Sequence, residues 1–130
     1  MRLLTFAGGI HPDDGKRFSK DREIQPVIPQ GEMAYPLSQH IGAPAKPAVK
    51  KGDHVLKGQV IAEAGGFVSA PVHASVSGTV KGIEQRFSPA GTKTDCIIIE
   101  NDGLYTEMEY GSVKPLAEMT REEILQKIGD

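Results

Sequence analysis

Cysteine is almost absent from this sequence of 130 residues, since Cys96 is the one thiol. A single cysteine excludes an internal disulfide framework. It also excludes an iron–sulfur cluster held by this chain alone, because such clusters typically take four cysteine thiolates. Zinc sites of four cysteines, or of two cysteines and two histidines, fail on the same count. The sequence therefore predicts a fold that is stable without cross-links or metal, in a reducing cytoplasmic compartment.

An excess of positive charge and long hydrophobic runs are also missing. The 15 basic and 17 acidic residues give a formal net charge of −2, so no basic field exists to hold nucleic acid. The longest aliphatic run, at residues 97–99, is far shorter than the roughly 20 residues that cross a bilayer. The N-terminus lacks the apolar core of a signal peptide. We expect neither a nucleic-acid partner nor direct membrane insertion.

Glycine and proline, by contrast, are frequent, with 15 and 9 residues. The segments between the glycines are rich in valine, isoleucine and threonine, which predicts short strands in a small sandwich or barrel. Tight turns are predicted where glycine stands beside polar or small residues, at positions 51–53, 57–59, 65–66 and 77–78. Cys96 begins an apolar run and is predicted to be a small buried side chain.

The pattern divides the chain into three regions. Residues 1–35 predict an opening strand at 3–6 and then a loop-rich arm, because its prolines remove backbone donors. Residues 36–112 hold the strand-and-turn pattern of the β core. Residues 113–130 predict a linker and a short helix, in which Thr120 and Glu123 form a capping box.

One motif resembles the biotinyl/lipoyl-like family of barrel-sandwich hybrids. Residues 49–61 place a Gly52-Asp53 turn and a Gly58-Gln59 turn between hydrophobic segments, and the return carries APV at 70–72 and SGTV at 77–80. Carriers of this family need a lysine at an exposed hairpin tip. The corresponding tip here, residues 64–67, reads AGGF, so the resemblance implies the fold without the attached cofactor.

A second resemblance covers most of the chain. The segments TFAGGIHP at 5–12, PLSQHIGAPA at 36–45 and GFVSAPVHASVSGTV at 66–80 are similar to the N-terminal domain of RnfC, the C subunit of the Rnf complex. That complex is a bacterial, membrane-bound, ion-translocating ferredoxin:NAD oxidoreductase. The resemblance implies a mainly β barrel-sandwich hybrid with a loop-rich N-terminal arm and a short C-terminal helix. The nearest relative with which it could be confused is the A subunit of the sodium-pumping NADH:quinone reductase.

For function, the resemblance implies a non-catalytic structural and docking domain, cut from a longer polypeptide. Two [4Fe–4S] clusters, FMN and NAD(H) would belong to later parts of that polypeptide, and no cofactor to this segment. The expected partners are those downstream domains and other subunits of the complex, at the cytoplasmic face of the cell membrane. The alternatives are the A subunit of the quinone reductase and a free-standing biotinyl/lipoyl-like adaptor domain.

Candidate site residues fall within the family-like segments. No catalytic residue and no metal site is predicted, because the four histidines are too far apart in sequence for a local site. The Gly8-Gly9 pair could present N–H groups to a phosphate, although a bend that needs positive φ is preferred. His54, after a tight turn, is expected to be solvated. The candidate docking or structural motif consists of His11, Pro12, His40, Gly42, Phe67 and His73, with hydrogen bonding inside the fold preferred for the histidines.

Overall fold

Seven antiparallel strands form two sheets in a computed structural model, which describes residues 8, 12–88, 91–111 and 114–129. The first sheet has the order β1-β7-β6-β3 and the second β2-β4-β5. The strand bounds are β1 Glu32–Pro36, β2 Lys46–Pro47, β3 His54–Val55, β4 Val60–Glu63, β5 Val72–His73, β6 Gly78–Phe87 and β7 Lys93–Asn101. Two short 3₁₀ helices, Lys16–Phe18 and Leu116–Glu118, and one α-helix, α1 at Arg121–Gly129, complete the described elements. The mainly β class predicted from the sequence is confirmed.

The core lies between the two sheets. β7 contributes Ile97 and Ile99 to it, while β4 contributes Ile61 and β6 contributes Val80. All of these side chains are fully or almost fully buried, as the period-2 alternation of strands requires for one face. This single cluster is the main stabilising element of the chain, because burial of each such side chain contributes about 1.5–3 kcal/mol.

The opposite face of β7 is also buried, although it lies outside that cluster. Cys96 and Ile98 alternate with the core residues and have almost no exposed surface. On the same face, Arg86 of β6 donates to Glu32 of β1 at 2.8 Å, across the intervening β7. The aliphatic stems of such long charged side chains cover apolar surface. The prediction that Cys96 is buried is confirmed, and burial raises the pKa of its thiol.

The turns predicted at residues 51–53 and 57–59 are confirmed, and each is closed by its own side chain. The Asp53 carboxylate accepts from the Lys50 N–H at 2.8 Å, and the Gln59 amide oxygen accepts from the Leu56 N–H at 3.0 Å. The turn predicted at residues 65–66 lies in the loop 64–71, which connects β4 to β5. Asp53 and Gln59 suit their turns because their side-chain oxygens accept hydrogen bonds from backbone N–H groups.

The turn predicted at Ser77-Gly78 is wrong, because Gly78 begins the ten-residue strand β6. Gly78 pairs with Asn101, and a Cβ on it would lie 2.0 Å from the carbonyl oxygen of Glu100. Glycine is therefore needed here for the close approach of two strands, and not for a change of direction.

The arm and the helix flank the core. Residues 12–31 carry one 3₁₀ turn and no strand, in agreement with a loop-rich arm, whereas the strand predicted at 3–6 lies outside the described residues. The core sheet begins at Glu32, earlier than the boundary expected at residue 36. The predicted capping box is confirmed: the Thr120 hydroxyl accepts from the Glu123 N–H at 3.2 Å, and Glu123 accepts from the Thr120 N–H at 2.8 Å.

Candidate functional site

Two loops at one end of the molecule contain no charged residue. They are residues 37–45, between β1 and β2, and residues 64–72, which lead from β4 into β5. Neither loop has an Asp, Glu, Lys or Arg, in a chain of which 25% is charged. We call these two loops together the uncharged tip.

Hydrogen bonds hold the two loops of the uncharged tip against each other. The Ser69 hydroxyl donates to the Ala43 carbonyl at 2.8 Å and accepts from the Gly65 N–H at 2.9 Å. The Ala43 N–H in turn donates to the Val68 carbonyl at 3.0 Å. The tip is thus tied by both backbone and side-chain bonds, which satisfy polar groups that would otherwise favour loop opening.

The imidazole ring of His40 also connects the two loops of the tip. Its Nε2 lies 3.0 Å from the Ala70 nitrogen, and its Nδ1 lies 3.1 Å from the Ile41 carbonyl oxygen. Since the carbonyl only accepts and the amide only donates, the ring carries its proton on Nδ1 and accepts at Nε2. The neutral imidazole is the form that satisfies both partners, so His40 bridges the two loops as a structural residue.

Gly42 allows the close approach of the loops. Its φ is +127°, and a Cβ would lie 2.1 Å from the Val68 carbonyl oxygen. Gly65 faces Pro44 in the same way, with a Cβ position 1.9 Å from its carbonyl oxygen. No side chain larger than hydrogen fits at either position, so the glycines determine how the tip closes.

The closed tip nevertheless displays apolar side chains. Phe67 is fully exposed, Ile41 is 95% exposed and Val68 is 59% exposed. Single exposed apolar side chains are ordinary, but here three of them lie on two loops that are bonded together and lack charge. Phe67 stands in the hairpin region where a biotinyl or lipoyl carrier would need its lysine, so the tip has no amine to modify.

The structure brings together some residues of the predicted docking or structural motif. His40, Gly42 and Phe67 all belong to the uncharged tip, and His73 lines with His40 a cavity of about 380 Å³. Pro12 is exposed in the arm, while Gly9 and His11 lie outside the described residues. Gly8 has a φ of +99°, in the region that favours glycine.

A larger groove of about 880 Å³ lies beside the uncharged tip. The loop after β1 forms one wall and the turn between β6 and β7 forms the other. Polar side chains of both walls line it, namely Ser38, Gln39, His40, Ser88, Thr92, Lys93 and Thr94. Pro36, Ile41 and Pro44 line the groove as well, so its surface is mixed polar and apolar.

A polar cluster around the buried Ser77, at the other end of the β6–β7 hairpin, was not predicted from the sequence. The fully buried Ser77 donates to Asp102 at 2.7 Å and accepts from the Thr106 N–H at 2.9 Å. Asp102 also accepts from the Leu104 N–H at 2.8 Å and lies 3.2 Å from Nε2 of His54. We call Ser77, Asp102 and His54 the polar hub. No sequence signal joins its members, because Asp102 is 25 positions from Ser77 and 48 from His54.

The polar hub has the residue types of a hydrolase triad but not its geometry. The serine hydroxyl donates to the carboxylate and not to the imidazole, so the imidazole is not placed to act as the general base of a triad. Ser77 is also fully buried and beyond the reach of a substrate. The Leu104 amide, followed by the Ser77 hydroxyl, lowers the pKa of Asp102. The hub therefore serves to hold the chain after β7, and His54, expected to be solvated, is half-exposed beside a carboxylate.

Neither a metal-binding cluster nor a membrane-spanning helix occurs among the described residues. Within these ranges, no three His, Cys, Asp or Glu side chains lie together in a way that could hold a metal ion. No helix in this part of the chain is long and apolar enough to cross a bilayer.

Comparison with known proteins places the fold in a family. A sequence model of the RnfC barrel sandwich hybrid domain matches residues 4–104. The chain is 45% identical over 101 residues, 78% of its length, to the C subunit of the proton-translocating ferredoxin:NAD(+) oxidoreductase complex of Clostridium ljungdahlii. It is 46% identical over 102 residues, again 78% of its length, to the C subunit of the Na(+)-translocating ferredoxin:NAD(+) oxidoreductase complex of Acetobacterium woodii.

A third relative extends across nearly the whole chain. The C subunit of the ion-translocating oxidoreductase complex of Haemophilus influenzae strain PittEE is 35% identical over 130 residues, 98% of this chain. The matched regions are 22%, 23% and 20% of these three relatives, so the chain spans about a fifth of their length. The match to the domain covers most of the described β core, and the chain belongs to the RnfC barrel sandwich hybrid domain family.

Proposed function

We propose that this chain is a non-catalytic structural and docking domain of an RnfC polypeptide in a membrane-associated, ion-translocating electron-transport complex. The relatives named as parts of ferredoxin:NAD(+) oxidoreductase complexes support the electron-transfer context. The observation that carries the docking role is the uncharged tip, in which Phe67, Ile41 and Val68 are displayed on loops that are tightly bonded together.

Electron transfer itself is assigned to other parts of the RnfC polypeptide. Two [4Fe–4S] clusters would be bound there, because this chain has one thiol and a cluster takes four. The family resemblance assigns FMN and NAD(H) to the same later parts. That thiol, Cys96, is buried and its Sγ faces the Thr94 carbonyl at 3.6 Å. The residues present do not fit an iron–sulfur cluster, so the role of this domain is to position other parts of the complex and not to transfer electrons.

The energetics of the uncharged tip favour an apolar partner surface. Full burial of a side chain such as Phe or Ile contributes about 1.5–3 kcal/mol. No charge has to be desolvated with them, which removes the largest cost of burying a surface. Because the loops are already bonded in place, little ordering entropy is lost on binding. The expected partners are downstream domains of the same polypeptide and other subunits, at the cytoplasmic face of the membrane.

A chimeric protein tests this proposal. The matched region of the Haemophilus influenzae relative is replaced by this chain, and the complex is purified through one of its other subunits. Phe67→Asp should reduce the chimera recovered with the complex at least tenfold, because it places a charge in the apolar contact. Leu116→Asp is the matched control, since Leu116 is an exposed apolar residue outside the tip. Equal recovery of both variants would overturn docking of the tip on the other subunits of the complex.

A further inference from the structure

The arm displays a second apolar surface, independent of the uncharged tip. Ile24 is fully exposed, Val27 is 89% exposed and Ile28 is 62% exposed. Residues 24–31 contain no charged side chain, although the preceding residues 20–23 are all charged. We call residues 24–29 the apolar segment of the arm.

The end of this segment is firmly fixed to the core. The Pro29 carbonyl accepts from the Asn101 side-chain amide at 2.8 Å and also from the Tyr105 hydroxyl. The Gly31 carbonyl accepts from the Asn101 N–H at 3.2 Å. Tyr105 is the one non-glycine residue of the described chain with positive φ, at +53°. The Tyr105 side chain is partly buried against the core and its hydroxyl also accepts from the Asn101 amide at 3.2 Å, so the anchor of Pro29 is itself held by the core.

The segment beyond this anchor is restricted but uncovered. Pro26 and Pro29 fix their own φ and favour an extended conformation in the residues before them. Proline has no N–H, so neither Pro26 nor Pro29 can donate a hydrogen bond to a neighbouring strand. Extended, proline-containing apolar peptides bind instead in apolar grooves, and their stiffness lowers the entropy lost on binding. Ile24 can lie at most about 18 Å from Pro29 along the extended chain.

We propose that the apolar segment of the arm is a peptide ligand that lies in an apolar groove on the remaining polypeptide of the same subunit. This inference rests on the proposed function in one respect, that the chain acts as part of an RnfC polypeptide. The match to the Haemophilus influenzae relative covers 98% of this chain and 20% of that protein, which is thus about five times as long. The family polypeptide therefore has a large tethered remainder that could provide the groove.

Two features favour this occupant over a separate subunit. The arm is anchored by Asn101 and Tyr105, at the point where the chain leaves β7. A tethered surface is present at a high effective concentration, which a diffusing partner lacks. The groove must also lie close to this anchor, because the reach of the segment is short.

Trypsin provides the test, because four exposed cleavage sites precede the apolar segment: Lys16, Arg17, Lys20 and Arg22. In the isolated chain, cleavage in the arm should be fast. In the Haemophilus influenzae chimera, purified without other subunits, it should be at least tenfold slower. The double variant Ile24→Asp and Val27→Asp should restore fast cleavage in the chimera, whereas Leu116→Asp should not. All substituted side chains are exposed, so the core should remain folded.

The other outcomes each overturn the inference. Slow cleavage in the isolated chain would mean that the arm already packs on its own domain. Protection that arises only in the complete complex would assign the groove to a different subunit. Absence of protection throughout would exclude a groove. The Phe67→Asp chimera separates this inference from the proposed function: it should keep the arm protected even though its recovery with the complex falls.

Discussion

The uncharged tip and the polar hub are both fixed by side-chain hydrogen bonds, yet they present opposite surfaces. In the hub, Ser77 is fully buried, and its hydroxyl is bonded to Asp102 and the Thr106 N–H. In the tip, Ser69 and His40 make equivalent bonds between two loops, but Phe67 and Ile41 remain in solvent. Firm hydrogen bonding in this chain is therefore not a sign of burial. In the hub it stabilises the fold, and in the tip it fixes the shape of a surface.

The largest effect is expected from Gly42→Ala, which tests how the tip closes. The new Cβ would lie 2.1 Å from the Val68 carbonyl oxygen, at a φ of +127°. Overpacking and backbone strain each cost about 1–3 kcal/mol, so we expect a loss of about 2–6 kcal/mol in the free energy of unfolding. Urea denaturation measures it.

Gly31→Ala is the matched control for this substitution. Gly31 also has positive φ, at +73°, but nothing lies within 4 Å of its Cβ position. It should lose only the conformational part, about 1–2 kcal/mol. Equal losses for the two variants would mean that the loops of the tip are not in close contact.

The next effect concerns the polar hub. Ser77→Ala leaves the Thr106 N–H without its acceptor, beside the fully buried position 77, and removes a donor from Asp102. An unsatisfied buried group costs about 1–3 kcal/mol, and a loss of that size is expected in urea denaturation. Ser88→Ala, which removes an exposed hydroxyl bonded to Thr92, should change stability by less than about 0.5 kcal/mol. A hub variant as mild as this control would show that the hub does not stabilise the fold.

Acid should weaken the polar hub. The Leu104 amide and the Ser77 hydroxyl lower the pKa of Asp102 from its ordinary value of 3.8. A carboxyl with a lowered folded-state pKa stabilises the fold fully above its unfolded pKa and loses that contribution as pH falls through the folded value. Stability should therefore fall below pH 3.8, the ordinary pKa, with a shallower fall in Asp102→Asn. Parallel pH profiles for the two proteins would contradict this linkage.

Local residue patterns were enough to predict part of this structure. The turns at Gly52-Asp53 and Gly58-Gln59 and the Thr120 capping box each depend on partners three residues apart. The family-like segments also contained His40, Gly42 and Phe67 of the tip. Such features are readable because the chemistry and the geometry lie within one short segment.

Long-range contacts explain what the sequence did not reveal. Gly78 was predicted in a turn, yet its role depends on Glu100 in the neighbouring strand. β1 begins before the expected boundary because it pairs with β7, which lies far along the chain. The polar hub likewise joins residues from three separate segments. In each of these cases the local sequence is compatible with several structures, and a contact with a distant segment selects one of them.

The smallest effect is expected from Phe67→Ser, which tests whether the tip is a displayed surface. Phe67 is fully exposed, so its removal should change the free energy of unfolding by less than about 0.5 kcal/mol. Solubility at high protein concentration should rise, because an exposed apolar side chain is replaced by a polar one. Val55→Ser is the contrasting variant, since Val55 is fully buried in the core and should destabilise the chain strongly. A comparable loss in Phe67→Ser would mean that the tip packs on its own domain, and the distinction from the hub would then disappear.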